Sequence, residues 1–300
     1  MPLFNHQTIT KMNKLFTPII ALAAFLFLSH AVIAQVEYPS PSPLATIHQK
    51  VGVTDVKVEY SRPAKKGRTL FVDVEEFGKI WRTGANTSTK ISFSTDVTLE
   101  GKSVTAGEYA LYSIPGQTDW TVMLYKDLSL GGNIGEYDES KEIVRVNVKA
   151  EPLTGSVESF TIDIGNISAN GATIALVWGE YYVPVKMEVD TYTNVSAQIE
   201  DYMKNPMASV GNNYAQATNY YFQNDKDMNS ALEWIDKAIE INPNAFWNIQ
   251  TKARILGKMG NYTDAIVAAQ KSSNVAKAAD NDFGYIDSNQ KLIDDWSKQQ

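Results

Sequence analysis

The sequence predicts a two-domain protein in which an all-β antiparallel sandwich at residues 45–190 is followed by an all-α region of helical repeats at residues 191–300. Three observations carry this reading. Apolar residues alternate with polar ones over short runs separated by turn residues, with no helical pattern between them. Near Thr191 the composition changes from Val and Thr to Asn, Ala, Gln, Lys and Asp, and the apolar period becomes 3.6. Within the second half, small residues recur thirty-four positions apart, as Ala231 and Ala265 do.

From Ala45 the period is two. Thr54, Val56, Val58 and Tyr60 share one face of a strand, and Val53, Asp55, Lys57 and Glu59 the other. Further strands are predicted over 90–94, 95–99, 108–114, 120–125, 143–150, 157–164, 173–178 and 181–189. Turn chemistry separates them at Glu100-Gly101-Lys102, Pro115-Gly116-Gln117, Leu130-Gly131-Gly132-Asn133, Ala169-Asn170-Gly171 and Gly179-Glu180. Nine or ten strands with short connections fit two facing antiparallel sheets better than a βαβ fold. Two connections exceed hairpin length, Arg62 to Thr89 and Lys126 to Glu142. The first gathers Arg62, Lys65, Lys66, Arg68, Lys79 and Arg82, with Leu70-Phe71-Val72 as a candidate short strand. The second holds Gly131, Gly132, Gly135 and the acids Glu136, Asp138 and Glu139. Long loops in an economical β domain mark function, and opposite charge suggests that these two approach each other.

Helices are predicted over 192–204, 212–223, 228–240, 246–256, 262–278 and 283–298, the first stopped by Asn205-Pro206 because a proline disfavours the helical conformation of its predecessor. The run from Ala231 to Pro243 resembles the second helix and terminal proline of a tetratricopeptide repeat. The next unit supplies Ala253, the turn Gly260-Asn261-Tyr262, and Ala265. Small residues there let paired helices approach closely. Repeats align at 212–245 and 246–279, flanked by helices at 192–205 and 283–298. Ala215, Asn219 and Phe222 depart from the family pattern in the first unit.

Residues 1–34 read as a signal peptide: Lys11 and Lys14 precede the apolar run Ile19 to Leu28, and Val32-Ile33-Ala34 offers a small-residue cleavage site. Met12 is an alternative start, and an uncleaved N-terminal anchor the alternative fate. A Pro/Ser-rich leader at 35–44 would follow. The expected location is therefore periplasmic or secreted, with no transmembrane anchor after cleavage. Cleavage moves the formal charge from -7 to -9, which argues against a nucleic-acid partner. The chain has no cysteine, so lipid attachment through a thiol and disulfide stapling are both excluded.

Tyr60-Ser61-Arg62-Pro63, Lys66-Gly67-Arg68, Gly78-Lys79-Ile80-Trp81-Arg82-Thr83-Gly84-Ala85-Asn86, Phe93-Ser94-Thr95-Asp96-Val97 and Ala106-Gly107-Glu108-Tyr109 together carry a resemblance. Over about residues 38–185 the sequence resembles the DUF2911 family, a domain of unknown function common in exported proteins of Bacteroidetes. Members often carry a tetratricopeptide-like tail. This chain departs from the family at Phe71-Val72-Asp73-Val74-Glu75-Glu76-Phe77-Gly78, where a leucine-valine-proline-tyrosine-glycine run is usual. The resemblance implies fold and location and no activity.

Among groups that carry chemistry, His48 is the single histidine beyond the leader, and no serine sits in a nucleophile elbow. No phosphate or dinucleotide glycine pattern and no cysteine–histidine metal set is present, so neither cofactor nor metal is expected. Arg62, Trp81, Arg82, Asn86 and Glu108 are the candidate ligand-binding residues, suited to an anionic or carbohydrate ligand. The competing role for the arginines is a buried network with carboxylates such as Glu108 or Asp163, and Trp81, like Trp120 and Trp178, fits a sandwich core. The leading functional expectation is a non-enzymatic ligand- or protein-binding β domain with a helical scaffold for a protein partner. The alternatives are a glycan- or small-acid-processing enzyme in which Arg62, Arg82, Glu108 and His48 converge between the long loops, and a tail whose role is purely structural.

Overall fold

The computed structural model describes residues 38–204 and 211–299. The expected signal peptide and the Asn205-Pro206 stop lie outside them. Ten strands form two antiparallel sheets, and six helices follow among the described residues. The strands are β1 (Leu44–Val51), β2 (Thr54–Ser61), β3 (Thr89–Phe93), β4 (Val97–Leu99), β5 (Lys102–Val104), β6 (Gly107–Ile114), β7 (Asp119–Tyr125), β8 (Glu142–Lys149), β9 (Glu151–Ser168) and β10 (Gly171–Val189). One sheet runs β1-β2-β3-β6-β7-β8, the other β5-β4-β10-β9.

The alternation read in the sequence sets the inward faces. Val56, Val58 and Tyr60 of β2 are buried with Ile91, Phe93, Leu111, Val122 and Leu124 of the same sheet, against Phe160, Ile162, Leu176, Val183 and Val185 of the other. Burying such side chains contributes about 1.5–3 kcal/mol each, which is how a chain without disulfides holds a sandwich together. The structure differs locally from the sequence reading in four places. β1 pairs with β2 through a two-residue turn at Gly52-Val53, and β5 pairs with β4 across Glu100-Gly101. Gly179-Glu180 is not a turn. It is an irregularity inside the nineteen-residue β10, where Gly179 takes φ +56° and the register with β9 shifts. Leu70-Phe71-Val72 is not a strand either; a single bridge joins Leu70 to Val74.

β6 and β7 are buried on both faces. Ala110, Tyr112, Met123 and Tyr125 point away from the sandwich into a second, smaller core. Ile80, Ile114, Leu128, Leu130, Ile134 and Tyr137 cover it. The 126–142 connection thus lies over the outside of the six-stranded sheet as three short 3-10 turns.

The helices are α1 (Thr191–Met203), α2 (Gly211–Gln223), α3 (Met228–Ile241), α4 (Phe246–Lys258), α5 (Tyr262–Ala276) and α6 (Tyr285–Ser297). Asp190, Asp227 and Asn261 cap α1, α3 and α5 by accepting amide hydrogen bonds. Consecutive helices pack on one another from α2 to α6, and α6 also touches α4. No helix among the described residues is long and apolar enough to cross a membrane.

Candidate functional site

The cationic connection begins where β2 leaves its sheet. Arg62 N–H donates to Pro43 O at 2.9 Å, still in the lane of β1. The next residues pair with β9 of the other sheet, Phe160 N–H donating to Pro63 O and Lys65 N–H to Glu158 O, both at 2.8 Å. The edge of β9 continues to be closed by side chains. Arg62 Nε donates to Phe160 O at 3.0 Å and Nη2 to Thr161 Oγ1 at 2.7 Å. The Tyr60 hydroxyl accepts from Ile162 N–H at 2.9 Å and donates to Ile162 O at 3.3 Å. Capping an edge strand in this way blocks pairing with other chains. Arg62 is therefore a clasp between the two sheets.

Lys65 is similarly engaged, its Nζ 3.4 Å from Glu180, and Arg68 donates to Ala64 O and Lys65 O. The cationic run is largely tied down rather than presented as one surface.

Further along, Trp81 resumes pairing in the lane of β3, exchanging backbone bonds of 2.7 and 2.9 Å with Ser113 at the end of β6. Period-two alternation then sends neighbouring side chains to opposite faces. Trp81 points inward and is 1% exposed. Its ring stacks on Trp178 at 5.5 Å and 18°, meets Phe160 edge-on at 4.9 Å, and its indole N–H donates to Gly84 O at 2.9 Å. In this closed arrangement it is covered by other rings, so the residue the sequence offered as a ligand contact is packed in the core. Thr83, also fully buried, donates to Ser113 Oγ at 2.9 Å, and Thr89 Oγ1 returns to Thr83 O at 2.5 Å. Asn86, exposed and at φ +63°, donates from its amide to Ser61 Oγ at 3.1 Å and Ser42 O at 3.4 Å. The Trp-Arg-Thr-Gly-Ala-Asn run is thus a closed turn whose members hold one another and the end of the leader.

Arg82, half-buried, points outward to the second core. Its Nη1 donates to Asn86 O at 2.9 Å, and Gly132 of the other long loop lies directly against the guanidinium. The two long connections do meet, and they meet here. Tyr112 donates to Gly131 O at 2.8 Å beside them. Burial raises the Tyr112 hydroxyl above its ordinary range, with the Arg82 charge among the weaker opposing influences. Burial likewise raises Glu75, and the charge of Arg82 pulls it the other way.

The rest of the second loop is anchored by acids. Asp127 is held down to about 2 by the Ser129 hydroxyl, Lys141 and the Ser129 amide, with Lys141 Nζ at 2.9 Å. Tyr137 stacks on Tyr125 at 4.7 Å and donates to Glu142 at 2.9 Å, while Arg145 pairs with Glu142 at 2.6 Å. Burial works against ionisation of Glu142, but Arg145 and Tyr137 outweigh it and hold the carboxyl below its ordinary value.

The expected arginine–carboxylate network is replaced by something more modest. Among the described residues neither Arg62 nor Arg82 has an ion-pair partner; both are held by carbonyl and hydroxyl oxygens. Glu108 is exposed and pairs with Ser92, five residues along β6 from Ser113. His48 is exposed on β1, 3.3 Å from Asp55. Its lane crosses Lys57 and Ser92 to reach Glu108, so these two groups share a solvated row and do not join the arginines. The structure therefore brings together Arg82 and Asn86, with Arg62 nearby through Ser61, and leaves Glu108 and Trp81 elsewhere. Tyr60 and Glu75 were not anticipated. The doubly buried β6 and β7 had a visible signal in their unbroken apolar runs, Tyr109 to Tyr112 and Val122 to Tyr125.

Residues 42–187 match the family model described as protein of unknown function (DUF2911). The match spans the β domain, ends before the first helix, and supports the resemblance carried by the Trp81-to-Asn86 run. Comparison with curated proteins gives no match. Among solved structures, one described as the crystal structure of MamA protein is similar at 19% identity over 36% of this chain, with a TM-score of 0.27. The chain spans 63% of that protein's length, and a likeness at this level carries no argument.

Proposed function

We propose that the chain is an exported binding protein, with a tetratricopeptide-like tail that engages a protein partner and a β domain that takes an acidic or sugar ligand at Arg82. The observation that supports the tail reading most directly is the pair Ala231 and Ala265. They stand thirty-four residues apart, each fully buried where its helix meets its neighbour, and Ala253 does the same on α4. Stacked helix pairs of this kind offer long surfaces for partners. On α5, Val267 is 59% exposed and lines two grooves, of about 730 Å³ with Asn244, Gln270 and Asn274, and of about 420 Å³ with Leu232 and Ile249. An apolar centre rimmed by amides and lysine suits a peptide segment.

For the β domain, Arg82 is the candidate whose planar fork makes one hydrogen bond among the described residues, to Asn86 O, and so keeps donors for a carboxylate, phosphate or sugar oxygen. The placement of His48 and Glu108 away from it favours binding over catalysis. The test uses the intact mature chain as bait in the exported protein fraction, beside Val267→Glu. A near-stoichiometric partner that the parent captures and the variant loses, with unchanged helicity, is the expected result. Failure of the parent to retain any partner, or equal retention by the variant, would overturn the tail reading.

A further inference from the structure

The segment from Arg68 to Phe77 lies across the aromatic end of the sandwich. Its backbone hydrogen bonds stay within itself and with its own flanks: Phe71 N–H to Val74 O, Val72 and Asp73 N–H to Thr69 O, Arg68 N–H to Lys65 O, Lys79 N–H to Glu76 O, and Thr69 N–H to the Asp73 carboxylate. A bond from Gly78 N–H to Pro115 O follows at its end. Gly67 and Gly78 bracket the segment, both in the left-handed region and both in open space. What holds it against the sandwich is side chains, with Val74 and Phe77 partly buried on the core and Leu70 and Phe71 set deepest. Leu70 fits the notch left by the missing Cβ of Gly179, and Phe71 is inserted until 4% exposed.

Phe71 enters a box of rings. Phe77 lies at 4.9 Å, Tyr181 at 5.3 Å, Trp120 at 5.4 Å, Trp178 at 6.3 Å and Trp81 at 6.5 Å, four of the five edge-on. Two features set this apart from ordinary core packing. Phe71 and Glu75 hold left-handed backbone conformations, φ +59° and +57°, that side-chain-bearing residues seldom adopt. Trp120, one wall of the box, is 1% exposed, and its indole N–H has no hydrogen-bond partner among the described residues. Buried donors are rarely left so. A segment tied by side chains alone is the kind that opens locally while the sheets stay closed.

We propose that Phe71 is a resident plug in a binding site for a flat aromatic ligand that carries a hydrogen-bond acceptor, the site being walled by Trp81, Trp120, Trp178 and Tyr181. The ligand enters as the 68–77 segment lifts, takes the place of the Phe71 ring, and accepts from Trp120 Nε1. The edge-on aromatic geometry already used for Phe71 serves the incoming ring equally well. Because the plug competes with the ligand, affinity in the parent is reduced by the fraction of molecules in which the segment is closed.

The test titrates the full mature chain with quinoline and with naphthalene, rings of the same shape of which only the first carries an acceptor. Tryptophan fluorescence reports occupancy, and the rate of tryptic cleavage after Arg68 reports lifting of the segment. Quinoline should quench saturably and raise cleavage in step, and should bind at least tenfold more tightly than naphthalene. Phe71→Ala should bind quinoline at least tenfold more tightly than the parent, and Trp120→Phe should level the two ligands. Absence of saturable quenching by quinoline in the parent overturns the proposal, as does equal affinity of parent and Phe71→Ala. Should Phe71→Ala fail to fold, Trp120→Phe decides: a quinoline preference that survives the loss of the indole N–H rules out the assigned donor and, with it, the site.

Discussion

Gly132 lies so close to the Arg82 guanidinium that no methyl group fits between them, and the carbonyl of Asn86 closes the remaining side, 2.7 Å from where a Cβ would stand. This contact is where the two long connections of the β domain interlock, and it makes the first prediction. Gly132→Ala should destabilise the domain by about 1–3 kcal/mol, as overpacking does. Adding Arg82→Ala should recover part of that loss and not all, because Asn86 O remains in the way. Chemical melts of the two single variants and the double measure the coupling; strict additivity would show that the loops do not depend on each other here.

Arg82→Ala alone removes a bond to a carbonyl and breaks no ion pair among the described residues. The expected loss is therefore about 0.5–1.5 kcal/mol, well short of the roughly 3–5 kcal/mol that follows when a buried ion pair is broken. Lys66→Ala, which removes an exposed side chain with no partner among the described residues, should change stability by roughly 0–1 kcal/mol. Melts of both variants with and without phosphates, carboxylates and sugars separate the two roles of Arg82. A ligand that raises the Tm of the parent and of Lys66→Ala but not of Arg82→Ala supports the proposed site, and identical responses from all three would remove it.

Glu75 gives a pH dependence of defined sign. Burial raises its carboxyl above the ordinary 4.5, so the folded loop favours the protonated form. Its contribution is fully present below that ordinary value and is lost as pH rises through the raised one. Asp127 behaves oppositely: held near 2, it contributes above its ordinary 3.8 and loses this as pH falls. Stability of the parent should therefore decline as pH rises above about 4.5 and also decline in acid toward pH 2. Glu75→Gln should flatten the upper decline and leave the acid one. An unchanged slope in Glu75→Gln, read from melts across the range, would mean that Glu75 is hydrated in the folded state.

The sequence carried the architecture because periodicity is a local signal. Thr54, Val56, Val58 and Tyr60 face inward as their spacing requires, and the change to a 3.6 period near Thr191 falls where the first helix begins. The site was less legible because its residues act through long-range contacts. Arg62 read as a ligand contact or a carboxylate partner, but its partners, Phe160 O and Thr161 Oγ1, lie almost a hundred residues away and are backbone and hydroxyl oxygens that no charge pattern reveals. Trp81 and Arg82 were placed in one candidate site, and the structure sends them to opposite faces. Which of them points inward depends on the bridge to Ser113, a register that neighbouring residues do not encode. Gly179 read as a turn because a left-handed glycine looks the same in a hairpin and in a strand irregularity.

The last helix should prove to be fastened at two points of different kinds. Gly257 on α4 faces Trp296 of α6, and an added Cβ would stand 2.4–2.7 Å from three atoms of the indole. Nearer the other end of the helix, Asn289 is fully buried. Its amide N–H donates to Ser272 Oγ at 2.9 Å, its oxygen accepts from Gln250 at 3.0 Å, and Ser272 passes the chain on to Phe246 O at 2.8 Å. Every member is satisfied, which favours one register of α6 over α4 and α5. Gly257→Ala should cost about 1–3 kcal/mol by forcing Trp296 out, and Trp296 fluorescence should shift to the red. Asn289→Ala should cost a similar 1–3 kcal/mol, because Gln250 and Ser272 lose a buried partner. Asn289→Leu, which fills the volume but strands the same two groups, should do no better. Hydrogen exchange along residues 285–297 distinguishes the two fastenings: loss of protection should begin near Trp296 in the first variant and near Asn289 in the second. Protection lost evenly along α6 in both would instead make the helix a single cooperative unit held by neither point in particular.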